Sequence, residues 1–341
     1  MNLEALNLTV EKSDWSPLEK SIAKRKFRKI VKRNEFNRLT PLFLYRYCAA
    51  RLHLGDYSDY TGWEWRSDDG WAAKLLFEKQ PLPRWDGGYV EKLCVLGEQG
   101  VGDEVFYASL IPECLMRVKE VVYECDERLH KIIERSFPRT KCIVRPPETA
   151  GSEVWESRSG DFIPAGDLLR IFRRHRSHFP GKSYLKPDPD RVGDFSRYAG
   201  RTGVAWRGRQ GSLDPLRLGI TDPLSVQYGV QEEGIEFPPI DLMNDLESLF
   251  ALCSVLNKVV TVPQSVQHFA GSIGTKVEIV IPEVKGIQNQ IPWDYSSRIL
   301  PGGKLPWYPD VKVFDSLNEW KVSQFKEKMF KLEQVEGFTR I

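Results

Sequence analysis

One segment, residues 92–116, constrains the fold more than any other part of the chain. It reads as a short apolar run at 93–96, a glycine-bearing loop at 97–102, and a helical spacing of apolar residues that Asp103 opens. This order predicts a buried strand, a tight loop and a helix. Because that unit is the building block of parallel α/β sheets, the segment predicts an α/β fold.

The glycines of the loop have a physical use. Gly100 and Gly102 let the backbone approach a ligand closely, while the first free N–H groups of the helix point towards it. Their spacing, G-x-x-G-x-G, is not the dinucleotide fingerprint. Asp103 stands at the mouth of the loop, where it either caps the helix or faces the cleft and takes a proton from a hydroxyl nucleophile. The spacing by itself favours the cap.

Composition limits the classes of protein to consider. The chain has 341 residues, which predict two or three domains, and its 41% hydrophobic content can fill their cores. Lys and Arg number 49 against 47 Asp and Glu, so a nucleic-acid or membrane interaction would need a local patch. No apolar run approaches the roughly 18 residues of a membrane span, and the N-terminus lacks a signal pattern, so we expect a cytoplasmic protein.

The cysteines give no sign of a metal site. All six lack C-x-x-C spacing and lie mostly in apolar surroundings, which predicts reduced core residues rather than zinc ligands.

The N-terminal region has helical patterns. Apolar residues at 23–31 recur among seven basic ones, which predicts a basic amphipathic helix, and a second helix is expected to run from Thr40 through Leu52. The charged face of the first helix has two interpretations, contact with phosphates or simple solvation, and solvation is favoured. A single helix pair is too short for a repeat solenoid, which needs about three repeats.

The middle of the chain alternates strand and helix patterns. Strands are predicted at Val118–Cys125 and Thr140–Val144, with a helix at 126–136 between them. A basic helix follows at 167–176, whose arginines either meet an acceptor phosphate or carboxylate or lie on the surface near a linker. The D-x-D sequence at Asp188 and Asp190 sits between prolines and is interpreted as a solvated spacer, not a metal motif.

Two places in the second half suit a diphosphate. A strand at 202–206 leads into Arg207 and Arg209, and basic side chains beyond the carboxyl end of a strand match the crevice where α/β sheets bind ligands. A strand at 258–262 leads into a turn and a helix start around Ser265. Backbone amides and a hydroxyl there can bind phosphate without a charged side chain.

These motifs together support a resemblance. Residues 83–87 (PRWDG) and the stretch GEQGVGDEVFYASLIP resemble the glycosyltransferase module that ends many bacterial and phage tetratricopeptide proteins. That module is similar to glycosyltransferase family nine, the lipopolysaccharide heptosyltransferases. The resemblance implies a GT-B fold with two Rossmann-like parallel-sheet domains facing a cleft, a nucleotide-sugar donor and no metal.

The resemblance also implies roles for individual residues. Asp103 falls on the catalytic aspartate of the family's G-D step, with Glu98 as the second-choice base. Heptosyltransferases carry an aspartate where this chain has Pro263, so the resemblance leaves the transferred sugar open. The residues expected to bind the donor are Gln99, Gly100, Gly102, Arg207, Arg209, Gln227, Tyr228, Gln264, Ser265, Val266 and His268.

The expected organisation has four parts. These are an N-terminal helical, tetratricopeptide-like extension at 1–80, an acceptor domain at 81–185, a donor domain at 186–315, and a terminal helix at 316–341 that packs back on the acceptor domain.

The predicted function is transfer of a sugar from a nucleotide-diphosphate sugar to an acceptor hydroxyl, with inversion and without metal. Three alternatives stay open: a glycosyltransferase acting on a modified base of phage DNA, a non-catalytic module that kept the fold, and a scaffold for protein partners.

Overall fold

The computed structural model describes residues 48, 52, 57–66, 82–98, 100–145, 160–209, 211–282 and 305–336, with side chains up to 330 in the last helix. The basic helix predicted at 23–33 and the loop residue Gln99 lie outside the described residues. Of the second predicted helix, Cys48 and Leu52 are described; both are helical and buried.

The first domain contains a sheet of four parallel strands in the order β3-β2-β1-β4. The strands are β1 (Val90–Leu96), β2 (Val118–Cys125), β3 (Thr140–Val144) and β4 (Asp161–Pro164). The helices around it are α1 (Val101–Ala108), α2 (Ile111–Cys114), α3 (His130–Ser136) and α4 (Leu168–Phe172). Its central strand β1 is completely buried over its last four residues, as a parallel strand covered on both faces should be.

The second domain contains a sheet of five parallel strands in the order β11-β10-β9-β5-β8. Its strands are β5 (Thr202–Ala205), β8 (Pro223–Ser225), β9 (Lys258–Thr261), β10 (Val277–Val280) and β11 (Val311–Phe314), with a separate hairpin of β6 (Arg207–Gly208) and β7 (Gly211–Ser212). Its helices are α5 (Pro189–Asp194), α6 (Leu246–Val255), α7 (Val266–Ser272) and α8 (Leu317–Glu336). The mixed α/β class with two Rossmann-like parallel sheets is therefore as predicted.

Some predicted elements are shorter than expected, for local reasons. The helix expected at 126–136 begins as a 3-10 turn, because the Asp126 side chain accepts the N–H of Arg128, and it becomes α-helical only at His130. The basic helix expected at 167–176 ends at Phe172. The next residue, Arg173, leaves helical geometry and is buried in an ion pair with Glu113 at 2.6 Å.

The D-x-D sequence is a helix start rather than a spacer. Asp188 is the N-cap of α5, and its side chain accepts the N–H of Asp190 at 3.0 Å. This is the ordinary use of an aspartate before a proline at the first helical position.

The described contacts of the terminal helix go to the sheet of its own domain. The cause is Glu278 on β10, a fully buried carboxylate that accepts hydrogen bonds from Trp320 and from Lys258, each at 2.8 Å. A buried charge requires such partners, so α8 is held over β10.

The described chain contains no helix long and apolar enough to cross a membrane. All six cysteines are buried thiols, and none forms a disulfide.

Candidate active site

The two domains meet at the carboxyl ends of their strands. In the second sheet, β5 comes first along the chain and lies between β8 and β9. The later strands are therefore placed on both sides of β5, with β8 on one side and β9, β10 and β11 on the other. Such a topological switch point creates a crevice at the carboxyl ends of the two inner strands. Arg207 follows β5 and Gln264 follows β9, so both stand at this crevice.

A glycine makes the crevice tight. A Cβ atom on Gly208 would collide with the carbonyl oxygen of Pro263, so only glycine fits between the turn after β5 and the turn after β9. The side chains of Arg207 and Arg209, on either side of it, are exposed. Two guanidinium groups are thus presented beside the switch point.

Gln227 braces the crevice from beneath. Its Oε1 accepts the backbone N–H groups of Trp206 and Arg207, at 3.1 and 2.9 Å, and the Nε2 of Gln264 at 3.3 Å. These bonds continue the connection between β5 and β8 through a side chain, beyond the end of β8 at Ser225. Gln227 is buried, whereas Tyr228 next to it is 47% exposed. Gln227 therefore positions the crevice, and Tyr228 is the residue of the two that a ligand can reach.

On the opposite side, the loop after β1 reaches the second domain. Helix α1 begins at Val101 with Gly100 as its N-cap, and the Asp103 carboxylate accepts the Gly100 N–H at 3.2 Å. A Cβ on Gly102 would lie 3.0 Å from the Oγ of Ser265 and 3.2 Å from the Cδ2 of His268. The predicted base and the turn before α7 are therefore brought together between the domains.

The electrostatic environment of Asp103 suits proton transfer. The side chain is half-buried, and burial raises the pKa of its carboxyl to about 6, while the hydrogen bond from Gly100 acts in the opposite direction. The nearby Glu98 carboxylate raises this pKa further, and the Arg66 guanidinium lowers it. A general base works best with a pKa near the operating pH, and Asp103 combines that property with the cap that the spacing predicted.

Glu98 stands in a buried ion network instead. Its two carboxylate oxygens accept from the Nε and Nη2 of Arg66, and one of them also accepts the N–H of Gly166. Arg66 in turn reaches Asp167 at 2.8 Å. With both oxygens hydrogen-bonded and only 1% exposure, Glu98 is less accessible to a substrate than half-buried Asp103.

His268 is held as a neutral ring. Gln267 uses its Oε1 to accept the Gln264 N–H, at 3.2 Å, so its amide nitrogen faces His268 Nε2 at 3.0 Å. That arrangement assigns the proton of His268 to Nδ1, which donates to the Tyr308 hydroxyl oxygen at 2.6 Å. Burial lowers the pKa of His268 to about 3.

The structure thus separates the predicted site residues into groups. Those at the edges of the crevice are Gly100, Gly102, Asp103, Arg207, Arg209, Tyr228, Gln264 and Ser265. Those buried beneath it are Glu98, Gln227, Val266 and His268.

Three positioning residues were not proposed from sequence, namely Arg66, Asp167 and Tyr308. Of these, Tyr308 carried a signal, since it belongs to the P-W-Y-P stretch at 306–309.

Comparisons with known proteins give partial similarity. No protein-family model matches the chain. Protein FlbA of Caulobacter vibrioides is 25% identical over 282 residues; the match covers 69% of this chain, which spans 45% of FlbA. The crystal structure of the glycosyl transferase family 9 from Veillonella parvula DSM 2008 is similar with a TM-score of 0.46 and 11% identity, over 70% of this chain and 90% of that one.

Proposed function

We propose that this protein is a GT-B glycosyltransferase that moves a sugar from a nucleotide-diphosphate sugar to an acceptor hydroxyl. One observation carries the proposal: a half-buried carboxyl of Asp103, with a pKa of about 6, stands next to the contact between Gly102 and Ser265, beside a crevice with two exposed arginines. A base on one wall and cationic groups on the other are what a displacement from a diphosphate requires. The sequence resemblance to glycosyltransferase family nine supports the same reaction class.

On the donor side, Arg207 and Arg209 are assigned to the diphosphate. Guanidinium groups bind phosphate oxygens through paired hydrogen bonds, and they stabilise the negative charge that grows on the leaving diphosphate. The Ser265 hydroxyl adds a neutral hydrogen bond, and exposed Tyr228 offers a ring on which a nucleotide base can stack.

On the acceptor side, Asp103 is assigned as the base. The acceptor oxygen attacks the anomeric carbon and the bond from that carbon to the diphosphate oxygen breaks, while the hydroxyl proton passes to the Asp103 carboxylate. A single displacement of this kind inverts the anomeric centre. Because Arg207 and Arg209 supply the positive charge, the proposal needs no metal ion.

A screen for nucleotide binding tests the proposal. Thermal shifts are measured with uridine, guanosine, adenosine, cytidine and thymidine diphosphates and their common sugars, with and without magnesium. A ligand at about a hundred times its dissociation constant should stabilise the protein by roughly 2.7 kcal/mol. We expect one nucleotide family to respond, to the same extent with and without magnesium.

Variants test whether the responding nucleotide binds at the crevice. Arg207→Ala should weaken binding of the responding nucleotide, whereas Arg139→Ala, at an exposed arginine on the first domain, should not. A folded protein that responds to none of these ligands would contradict the proposal and favour a non-catalytic module.

A further inference from the structure

A second cavity lies in the first domain. It has a volume of about 350 Å³, and its lining includes Tyr60, Arg84, Asp167, Arg170 and Arg174. That volume lies within the range of small-molecule sites. Asp167 follows β4, a neighbour of the first strand β1, so the cavity adjoins the switch point of the first sheet, where α/β domains bind ligands.

Acidic groups at this cavity already have partners. Asp167 accepts from Arg66 with one oxygen and from Arg84 with the other, each at 2.8 Å. Asp59 accepts the N–H and the hydroxyl of Thr61, at 2.9 and 2.7 Å. Glu64, also in the lining, accepts the N–H of Gly62 at 3.0 Å.

Two basic groups have donors to spare. The guanidinium of Arg170 makes no hydrogen bond within the described residues; its nearest carboxylate oxygen, on Asp167, is 3.8 Å from Nε, and its side chain is 37% exposed. Arg174 is exposed, and among the described residues it makes one long hydrogen bond, 3.5 Å, to the Ser58 carbonyl. The unused hydrogen-bonding capacity of the cavity therefore includes the guanidinium N–H groups of Arg170 and Arg174, which are matched by the oxygens of a carboxylate or phosphate.

We propose that this cavity binds a small molecule through a carboxylate or phosphate group held by Arg170 and Arg174. Ser58, Tyr60 and Thr61 also line the cavity, with the Tyr60 hydroxyl donating to the Arg173 carbonyl and the Thr61 hydroxyl to Asp59. The inference stands apart from the proposed function, because no residue of the donor crevice lines this cavity.

Binding measurements on the intact chain test this inference. Titration calorimetry and ligand-observed NMR are done with three probes at matched ionic strength: inorganic phosphate, glucuronate, and glucose as the neutral counterpart of glucuronate. We expect saturable binding of phosphate, glucuronate or both, and none of glucose. Binding of phosphate alone identifies a phosphate-bearing ligand, and binding of glucuronate alone a carboxylate.

Four variants locate the binding. Arg170→Gln should weaken it at least tenfold, and Arg170→Lys should weaken it less because charge remains without the planar fork. Arg139→Gln should leave it unchanged, and Arg207→Ala should remove only the phosphate bound at the donor crevice, so that binding at this cavity is retained. Thermal unfolding confirms that each variant is folded. Absence of saturable binding to either anion, or an unchanged affinity in Arg170→Gln, would overturn the inference whatever the nucleotide screen shows.

Discussion

Gly102 and Ser265 touch where the two domains meet: a Cβ on Gly102 would lie 3.0 Å from the Ser265 Oγ and 3.2 Å from its Cα. The contact is backed by a second pair of groups, since His268 lies at 3.2 Å from the same point and is fixed by hydrogen bonds to Tyr308 and Gln267. A methyl group at position 102 would not fit at this distance, so the glycine there allows the close spacing of the two domains at the candidate active site.

Gly102→Ala tests that spacing. The serine hydroxyl can rotate away, but the Ser265 backbone and the His268 ring must move by a few tenths of an ångström, so we expect a destabilisation of about 1–3 kcal/mol. Chemical denaturation measures it. The matched control is Gly193→Ala in α5, where nothing lies within 4 Å of the new methyl group and the helix should gain roughly 0.5–1 kcal/mol. A stabilised Gly102→Ala variant would contradict the domain contact.

Asp103→Asn distinguishes the proposed role of Asp103 as a catalytic base from its role in capping helix α1. Asparagine can still accept the Gly100 N–H, so the helix start should persist, but it cannot take a proton. We expect transfer to fall by about 10²- to 10⁴-fold while calorimetry shows nucleotide affinity close to that of the unmodified chain. The control is Asp194→Asn at an exposed position. Transfer at the original rate in Asp103→Asn would remove the assignment.

The raised pKa of Asp103 also predicts how stability depends on pH. Between the ordinary value of 3.8 and about 6, the folded protein holds a proton that the unfolded chain has released, so the free energy of unfolding falls as pH rises through this window. Asp103→Asn removes the effect. The variant should match or exceed the unmodified chain in stability at pH 8, and the difference should vanish near pH 4. A variant that is less stable at pH 8 would show that the carboxylate is stabilising.

The loop that contains Asp103 and the strands of the first sheet show which features can be predicted from the sequence alone. Apolar runs predicted β2 and β3 to the residue, because burial in a parallel sheet leaves a local pattern. The cap at Asp103 was also local. By contrast, Arg66 binds carboxylates 32 and 101 residues away, and no periodicity records such a pairing. The hairpin of β6 and β7 was missed for a related reason, since strands of two residues are too short to show alternation.

The Arg66 network should matter more for stability than exposed ion pairs do. Arg66→Met leaves the carboxylates of Glu98 and Asp167 buried with fewer partners, which should cost about 3–5 kcal/mol. The control is Lys119→Met, which removes an ion pair to Glu91 whose side chains are 71% and 70% exposed, and no measurable change is expected. Equal unfolding midpoints for the two variants in urea would show that the network contributes no more than a surface pair.

The contribution of His268 to the free energy of unfolding depends on pH in the opposite direction from that of Asp103. Its pKa is lowered by burial from 6.5 to about 3, so on acidification the unfolded chain binds a proton that the folded protein excludes. The contribution to stability is complete above about pH 6.5 and is lost as pH falls from there towards 3. We therefore expect His268→Gln to show a shallower loss of stability between pH 6.5 and 4, measured by urea unfolding. Tyr308→Phe removes the hydrogen bond at 2.6 Å but keeps the buried imidazole, so it should lower stability and retain the slope.

In the unmodified chain the ring resonances of His268 should stay constant from pH 8 to 5. A histidine that titrates in that range would mean that the ring reaches solvent, and contact of His268 with the donor would then replace its positioning role.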